Sequence, residues 1–454
     1  MKKRRILLVE PAYRSKYPPL GLMKIAAYHG QLGDEVVFVR GCAAGVASQC
    51  WNRVYITTLF SFDWGITIKT VKHYQGNPQG GSREVVIGGI AASILPDLFA
   101  KETGVRPVVG RLQHPRTLDS DNGLIVDDMI PDYSILDQVD YPYACTDSYI
   151  GYATRGCVRR CRFCAVPTLE PQFVDHLELT PWVEGVRARH GEKTHLLLLD
   201  NNVLASPRLS DIVSEVKALG FRTGAKLNGR ARRVDFNQGL DARLLTEERM
   251  SILAGIPVKP FRLAYDNATA TYRNRFERAV RTAAGMGVDT FTTYLLYNHK
   301  DMPTDLWERI HHCVELGEEL NVRISSFPMK YIPVDELDRS HVGPHWNRRY
   351  LRSIQCITLV TRGVVSARHD FFHRAFGSNH KEFLEILAMP EHYIIKRSEH
   401  EHNGAAEWRS LYRRLGPRSR EQLLADASLR GRAAVRERHA AHPPGLLREA
   451  LTHY

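Results

Sequence analysis

The regular alternation of short apolar segments with helical segments constrains the fold of this chain more than any other feature. Near the N-terminus, strands are predicted over residues 5–9, 35–39, 54–60 and 84–87, and helices over residues 20–31 and 66–74. Such alternation is typical of parallel βαβ units. We therefore predict an α/β fold that begins with a doubly wound, Rossmann-like domain.

A second alternating series follows an irregular, acidic linker over residues 110–149. Its predicted strands cover residues 149–154, 195–199, 232–236, 261–264, 290–296 and 323–329. Six such units predict a partial (β/α)6 barrel that is shorter than the full eight-fold barrel. Residues beyond 334 are helical in pattern. The predicted domains are residues 1–140, 141–335 and a helical C-terminal region over 336–454.

Composition limits the partners and the compartment. The chain has 62 Lys and Arg against 50 Asp and Glu, a net charge of +12, but these residues are scattered and form no basic stripe. Nucleic acid is therefore not the expected partner. The apolar runs are far shorter than the roughly 20 residues of a membrane span. Eight cysteines are too sparse for a disulfide scaffold, so we predict a cytoplasmic protein with reduced thiols and no membrane contact.

Three cysteines form the one close cysteine group, Cys157, Cys161 and Cys164, spaced C-x3-C-x2-C directly after a predicted strand. Three thiolates on one compact loop can hold three irons of a [4Fe–4S] cubane and leave the fourth iron open. An open iron can be chelated by S-adenosylmethionine (SAM). The alternative is a structural zinc site, which normally needs four ligands; His176 is the nearest histidine and a poor fourth ligand.

This motif is the signature of the radical SAM superfamily, which the chain resembles, and Phe163 matches the aromatic position beside the adenine. Residues 18–22 and 86–89 resemble the cobalamin-binding-type domain that precedes many radical SAM cores. The loop that supplies a cobalt-ligating histidine is absent, because residues 10–14 read Glu-Pro-Ala-Tyr-Arg. The expected cofactors are therefore a [4Fe–4S] cluster and SAM, and bound cobalamin is not expected.

The resemblance also implies cofactor contacts. Asp200, Asn201 and Asn202 follow the second barrel strand, where relatives contact the SAM amino group. Arg243 resembles the arginine that grips the SAM carboxylate. A helix cap and a surface salt bridge remain the structural alternatives for these positions.

One subgroup that the chain resembles is the radical SAM diol dehydratases of apramycin-type aminoglycoside biosynthesis. The resemblance implies dehydration of a sugar diol in a pseudodisaccharide such as paromamine, with a flavodoxin or ferredoxin as electron donor and an NAD(P)H-dependent reductase as partner. Asp266, Tyr297 and Asp235 are the candidates for proton transfer and substrate binding.

Other functions stay open at this stage. A radical SAM epimerase would use a cysteine hydrogen donor, for which Cys313 and Cys356 are the candidates. A radical SAM enzyme that modifies RNA would use the basic charge. A metal-binding regulatory protein without enzymatic activity would carry zinc in place of iron.

Overall fold

The computed structural model describes residues 3–76, 84–429 and 431–454. The backbone divides into two compact units. The first comprises Met1–Phe261 and Ile332–Arg339, and the second comprises Arg262–Tyr331 and Ser340–Tyr454.

The first unit begins with a four-stranded parallel sheet of strand order β2-β1-β3-β4. Its strands are β1 (Arg5–Glu10), β2 (Glu35–Arg40), β3 (Arg53–Thr58) and β4 (Glu84–Gly89). The accompanying helices are α1 (Leu20–Gln31), α2 (Ala44–Ala47), α3 (Trp64–Gln75), α4 (Ile90–Ile94) and α5 (Pro96–Thr103). Residues 6–9 of the inner strand β1 are fully buried, as expected of a parallel strand covered on both faces.

The acidic linker that follows α5 is tied back to this sheet by Asp119. Its carboxylate accepts hydrogen bonds from Arg4 Nη1 (2.8 Å), Tyr28 Oη (2.8 Å) and Arg53 Nη1 (3.0 Å). Burial opposes ionisation of this carboxyl, but the hydrogen bonds from Arg4 and Tyr28 and the charge of Arg53 outweigh it. They lower its pKa to about 2. The linker is irregular, yet it is bound to the domain by a charged network.

A three-stranded parallel sheet of order β5-β6-β9 completes the first unit. Its strands are β5 (Ser148–Gly151), β6 (His195–Leu198) and β9 (Arg233–Phe236), and a hairpin of β7 (Lys226–Leu227) and β8 (Arg230–Ala231) precedes β9. The helices are α6 (Val166–Leu169), α7 (Thr180–His190), α8 (Leu209–Ala218) and α9 (Glu247–Leu253).

The second unit carries a three-stranded sheet of order β10-β11-β12 and a helical C-terminal part. The strands are β10 (Phe261–Ala264), which starts at the unit boundary, β11 (Thr290–Tyr297) and β12 (Arg323–Lys330); β11 and β12 are parallel. Helices α10 (Ala270–Gly285) and α11 (Pro303–Glu319) connect them. The C-terminal helices are α12 (Arg348–Thr358), α13 (His369–Phe376), α14 (His380–Ala388), α15 (Glu391–Ile395), α16 (Arg397–His400), α17 (Gly404–Arg414), α18 (Pro417–Ala427), α19 (Arg432–Ala441) and α20 (Leu446–Leu451).

The predicted fold class is confirmed: parallel α/β sheets are followed by a helical C-terminal part. All six strands predicted for the barrel are present, three in each unit. Within the described residues, none of the helices has the length and apolar character needed to span a bilayer.

Gly89, at the end of β4, gives a first test of this fold. Its φ is +105°, and a Cβ there would lie 2.4 Å from the Thr58 carbonyl oxygen on the neighbouring strand β3. We expect Gly89→Ala to lower the free energy of unfolding by about 1 kcal/mol or more. The check is urea unfolding followed by circular dichroism.

Gly21, in helix α1, is the matched control, because no atom lies within 4 Å of its added Cβ. Gly21→Ala should leave stability unchanged or raise it by up to about 1 kcal/mol. Equal effects of the two substitutions would contradict the strand packing described here.

Candidate functional site

The cysteine loop leaves the carboxyl end of β5 and ends at helix α6. Cys157, Cys161 and Cys164 are all half-buried and form no disulfide. The Cys164 N–H donates to the Cys161 carbonyl oxygen at 3.1 Å, which closes the C-x2-C turn. The loop therefore presents three thiols from one short segment, as the sequence predicted.

Polar N–H groups point at two of the three sulfurs. Arg159 N and Val166 N donate to Cys157 Sγ (3.3 Å) and Cys164 Sγ (3.5 Å), and Asn202 Nδ2 also lies 3.5 Å from Cys157 Sγ. Hydrogen bonds of this kind favour the thiolate, and in iron–sulfur proteins they also set the cluster potential. Both sulfurs therefore accept hydrogen bonds of the kind found around the thiolates of iron–sulfur clusters.

Three thiolates on one loop suit a cubane better than a single ion. Within residues 3–76, 84–429 and 431–454, no three His, Cys, Asp or Glu side chains converge to hold one metal ion. A [4Fe–4S] cluster does not require such convergence, because each thiolate binds a different iron. The donor set of this loop thus fits a cluster with one iron left open.

Gly156 and Glu170 fix the start of the loop. Gly156 has φ +73°, and a Cβ there would lie 2.4 Å from the Gln172 carbonyl oxygen. Its N–H donates to Glu170 Oε2 at 2.6 Å, and Arg155 Nη2 forms an ion pair with Glu170 Oε1 at 2.8 Å. The Arg155 guanidinium also lies over the Tyr152 ring, 3.8 Å from its centroid. The buried Arg155 therefore shapes the loop, while Glu170 takes up its charge.

Asp200 is buried and binds the backbone in front of the cysteine loop. Its carboxylate accepts hydrogen bonds from Ala153 N (3.1 Å), from Thr154 N and from Thr154 Oγ1 (2.6 Å). Burial raises the pKa of Asp200 to about 6, although these hydrogen bonds oppose the shift. The structure thus places Asp200 as an anchor between the ends of β5 and β6.

Asn201 and Asn202 occupy different positions, although they follow Asp200 directly. Asn201 Nδ2 donates to Glu170 Oε2 at 3.1 Å and so joins the loop network. Asn202 is 3% exposed, and its Nδ2 lies 3.4 Å from Asp241 Oδ2 as well as near Cys157. Its Oδ1 is buried and accepts no hydrogen bond within the described part of the chain. Buried acceptors are nearly always paired, so this oxygen is available to accept a hydrogen bond from a bound group.

Asp241 joins this group and was not singled out in the sequence. Arg243 Nε and Nη2 donate to its two carboxylate oxygens at 2.7 and 3.0 Å, and Arg159 Nε lies at 3.2 Å. Burial opposes ionisation of Asp241, but Arg243 and Arg159 outweigh it and lower its pKa. Asn202, Arg243 and Asp241 are therefore brought together beside Cys157. Asp241 lies two residues before the predicted Arg243. An acidic residue this close to an arginine is the sequence signal that could have identified Asp241.

Asp235 and Phe163 are the remaining predicted residues of the first unit. Asp235 is in the middle of β9, in register with Leu197 of β6, and is half-buried. Phe163 is half-buried within the cysteine loop. Their roles as proton-transfer residue and adenine neighbour stay predictions.

Asp266 and Tyr297 belong to the second unit. Asp266 follows the end of β10, and Tyr297 is the last residue of β11. Burial raises the pKa of the Tyr297 phenol, and its ring lies 5.2 Å from the Trp346 ring. Asn298, directly after β11, has φ +68°. It binds the backbone of the 341–343 segment through His341 O (3.2 Å) and Gly343 N (2.7 Å).

The two cysteines considered as hydrogen donors are enclosed. Cys313 and Cys356 lie in helices α11 and α12 and are buried. Burial raises the pKa of the Cys313 thiol to about 11, and its sulfur packs 3.7 Å from Thr293 Oγ1. These positions are typical of cysteine used as a small apolar residue.

In the N-terminal domain, the loop after β1 is closed by an internal ion pair. Glu10 accepts hydrogen bonds from Arg40 Nε (2.6 Å) and from the Tyr143 hydroxyl, and burial raises its pKa. The Arg40 guanidinium lies over the Tyr141 ring, 3.4 Å from its centroid.

No family model matches the chain, and no curated protein matches its sequence. Solved structures do match. TsrM from Kitasatospora setae, a radical SAM methyltransferase solved with cobalamin and a [4Fe–4S] cluster bound, aligns with a TM-score of 0.51 and 15% identity. The match covers 73% of this chain and 77% of TsrM. A second TsrM structure, with tryptophan and the SAM analogue aza-SAM bound, gives a TM-score of 0.52, 14% identity and 73% of each chain.

The chain has the fold of cobalamin-dependent radical SAM enzymes. The prediction that cobalamin is not a cofactor is therefore wrong, because TsrM holds cobalamin on the same fold.

Asp200 generates a pH prediction. Its pKa of about 6 lies above the unfolded value of 3.8, so the folded state binds the extra proton between these values. Protonated Asp200 contributes to the free energy of unfolding. This contribution is fully present below pH 4 and is lost as the pH rises through 6. The unfolding midpoint of the wild type relative to Asp200→Asn should therefore fall between pH 4 and pH 7. A difference that rises over this range would contradict the buried position of Asp200.

Proposed function

We propose that the chain is a radical SAM enzyme that holds a [4Fe–4S] cluster on Cys157, Cys161 and Cys164. The observation that carries the proposal is the unpaired, buried Asn202 Oδ1 beside Cys157, on the fold that TsrM shares. A [4Fe–4S] cluster with an open iron binds SAM and reduces it to methionine and a 5′-deoxyadenosyl radical.

The residues around Cys157 suit the polar end of SAM. Asn202 Oδ1 is free to accept a hydrogen bond from the SAM amino group. Arg243 carries a planar donor suited to the SAM carboxylate, and Asp241 holds that guanidinium in place through two hydrogen bonds. We assign Asn202 and Arg243 to SAM binding, Asp241 to positioning Arg243, and Asp200 to positioning the loop.

We propose further that a corrinoid lies on the carboxyl edge of the N-terminal sheet, the surface formed by the residues that follow β1, β3 and β4. Three large apolar side chains are exposed there, Tyr17 (38%), Phe60 (45%) and Ile90 (36%). Ligands of doubly wound sheets bind at this edge, and exposed apolar groups of this size mark binding surfaces. The domain's histidines are His29, His73 and His114, and none follows a strand at this edge. The cobalt would therefore lack a histidine ligand from this domain.

For the reaction, we propose radical dehydration of a sugar diol such as that of paromamine. The radical would take a hydrogen atom from a carbinol carbon, the adjacent hydroxyl would leave as water, and one electron and one proton would complete the ketone. Asp235, Asp266 and Tyr297 are the candidates for moving the protons, a flavodoxin or ferredoxin for the electron, and an NAD(P)H-dependent reductase for the ketone. Methyl transfer is the second candidate, supported by the match to TsrM.

Anaerobic turnover separates these reactions. The reconstituted protein, with cobalamin, SAM and dithionite, is incubated with paromamine, and products are followed by mass spectrometry. Loss of water from the sugar together with 5′-deoxyadenosine supports dehydration, and a gain of one methyl group supports methyl transfer. Formation of 5′-deoxyadenosine with unchanged sugar would refute both reactions on this substrate. Absence of SAM cleavage and of iron would refute the radical SAM proposal.

The cysteine assignment predicts a selective loss of cluster. Cys157→Ala, Cys161→Ala and Cys164→Ala should each abolish SAM cleavage and lower bound iron and sulfide strongly. Cys145→Ala is the matched control, because Cys145 is equally half-buried but lies outside the motif. It should retain the full iron content. Equal losses in all four variants would contradict the assignment.

The assignment of Asn202 to SAM binding predicts that its substitution weakens SAM binding without loss of the cluster. Asn202→Leu removes the free acceptor and should weaken SAM binding about tenfold, which corresponds to about 1.4 kcal/mol, a typical cost of one charged hydrogen bond. Equilibrium dialysis with labelled SAM measures the change. Asn201→Leu is the comparison, because Asn201 already pairs with Glu170. A larger SAM defect in Asn201→Leu than in Asn202→Leu would contradict the assignment.

A further inference from the structure

Helix α13 of the second unit carries two histidines one helical turn apart. His369 Nε2 and His373 Nε2 lie 2.8 Å from each other, with ring centroids 4.0 Å apart. Positions i and i+4 project from the same face of a helix, so both rings reach the same point in solvent. His369 is exposed and His373 is half-buried.

The separation of the two nitrogens fits a specific coordination geometry. Two imidazole nitrogens at 2.0–2.1 Å from one ion lie about 2.9 Å apart at a right angle and about 3.3 Å apart at the tetrahedral angle. The observed 2.8 Å is a hydrogen bond between the two rings, and because it is close to the right-angle value, a metal ion can replace the shared proton at a similar nitrogen separation. Adjacent positions at a right angle are found in square-planar and octahedral complexes, which Cu²⁺ and Ni²⁺ prefer among imidazole-binding ions.

Aromatic rings pack around His373, whereas its partner His369 is accessible to solvent. The His373 ring lies 5.4 Å from the Phe372 ring and 5.9 Å from the His311 ring of helix α11. The outer His369 lines an open cavity of about 870 Å³ at the amino ends of β11 and β12. Ions and water ligands can therefore reach the pair from solvent.

We propose that His369 and His373 form a binding site for a divalent transition-metal ion of the Ni²⁺ or Cu²⁺ class. Within the described ranges, no third His, Cys, Asp or Glu side chain completes a three-ligand group. The remaining coordination positions are therefore filled by water or by a ligand from the cavity. The two histidines belong to the second unit, and the cysteine loop belongs to the first.

The test is isothermal titration of the full-length, cluster-loaded protein with NiCl₂, using protein without a polyhistidine tag. Binding through two ligands on one helix depends on both, so His369→Ala and His373→Ala should each raise the Kd for Ni²⁺ about tenfold or more. His380→Ala is the matched control. His380 lies on the next helix and pairs with Glu308 at 2.7 Å, so its removal should leave the Kd within about twofold.

The outcomes distinguish this proposal from the proposed enzymatic function. An unchanged Kd for Ni²⁺ in both His369→Ala and His373→Ala would overturn the metal site, and so would tighter binding of Zn²⁺ than of Ni²⁺ by the wild type. Neither result would count against the proposed cleavage of SAM. Conversely, a Cys161→Ala protein without cluster should still bind Ni²⁺ at the histidine pair with the wild-type Kd.

Discussion

The buried carboxylate of Asp200 is the interaction on which the cysteine loop depends. It joins the end of β6 to the backbone of Ala153 and Thr154, immediately before the loop begins. The carboxylate is costly to bury, as its raised pKa shows, and it is retained because it satisfies several backbone and hydroxyl donors at once. Glu170 then fixes the next step by binding Gly156 N–H and Arg155. Together these two acids determine where the three thiols emerge.

The same two acids explain why the neighbouring residues converge. Once Asp200 is anchored, Asn202 is directed towards Cys157 and Asp241. Asp241 in turn orients Arg243 and Arg159 through charged hydrogen bonds. The Asn202 amide thus links Cys157 to a carboxylate that holds two guanidinium groups. Such a group can recognise a zwitterionic ligand, because it offers both an acceptor and planar donors.

The sequence predicted the strands well, because fully buried parallel strands read as continuous apolar runs. It located the cysteine motif and the polar residues after β6 because motif spacing is local, and the roles assigned to these residues stay predictions. It missed the hairpin at Asn228 and Gly229, both with positive φ, although an Asn-Gly pair is a strong turn signal. It could not show that Asp200 faces the backbone while Asn202 faces Cys157, because consecutive residues differ in orientation only once the chain has folded. It was wrong on cobalamin, because an absent histidine bears on one cobalt ligand and not on the fold, which the cobalamin-bound TsrM shares.

The electron paramagnetic resonance spectrum of the reduced protein, recorded with and without SAM, tests the central claim most directly. If three cysteines hold a [4Fe–4S] cluster with an open iron, the reduced protein shows a cluster signal whose g-values shift when saturating SAM is added. The signal should be absent in Cys161→Ala and present in Cys145→Ala. A wild-type protein that contains zinc in place of iron, or a cluster signal that SAM leaves unchanged, would contradict the account.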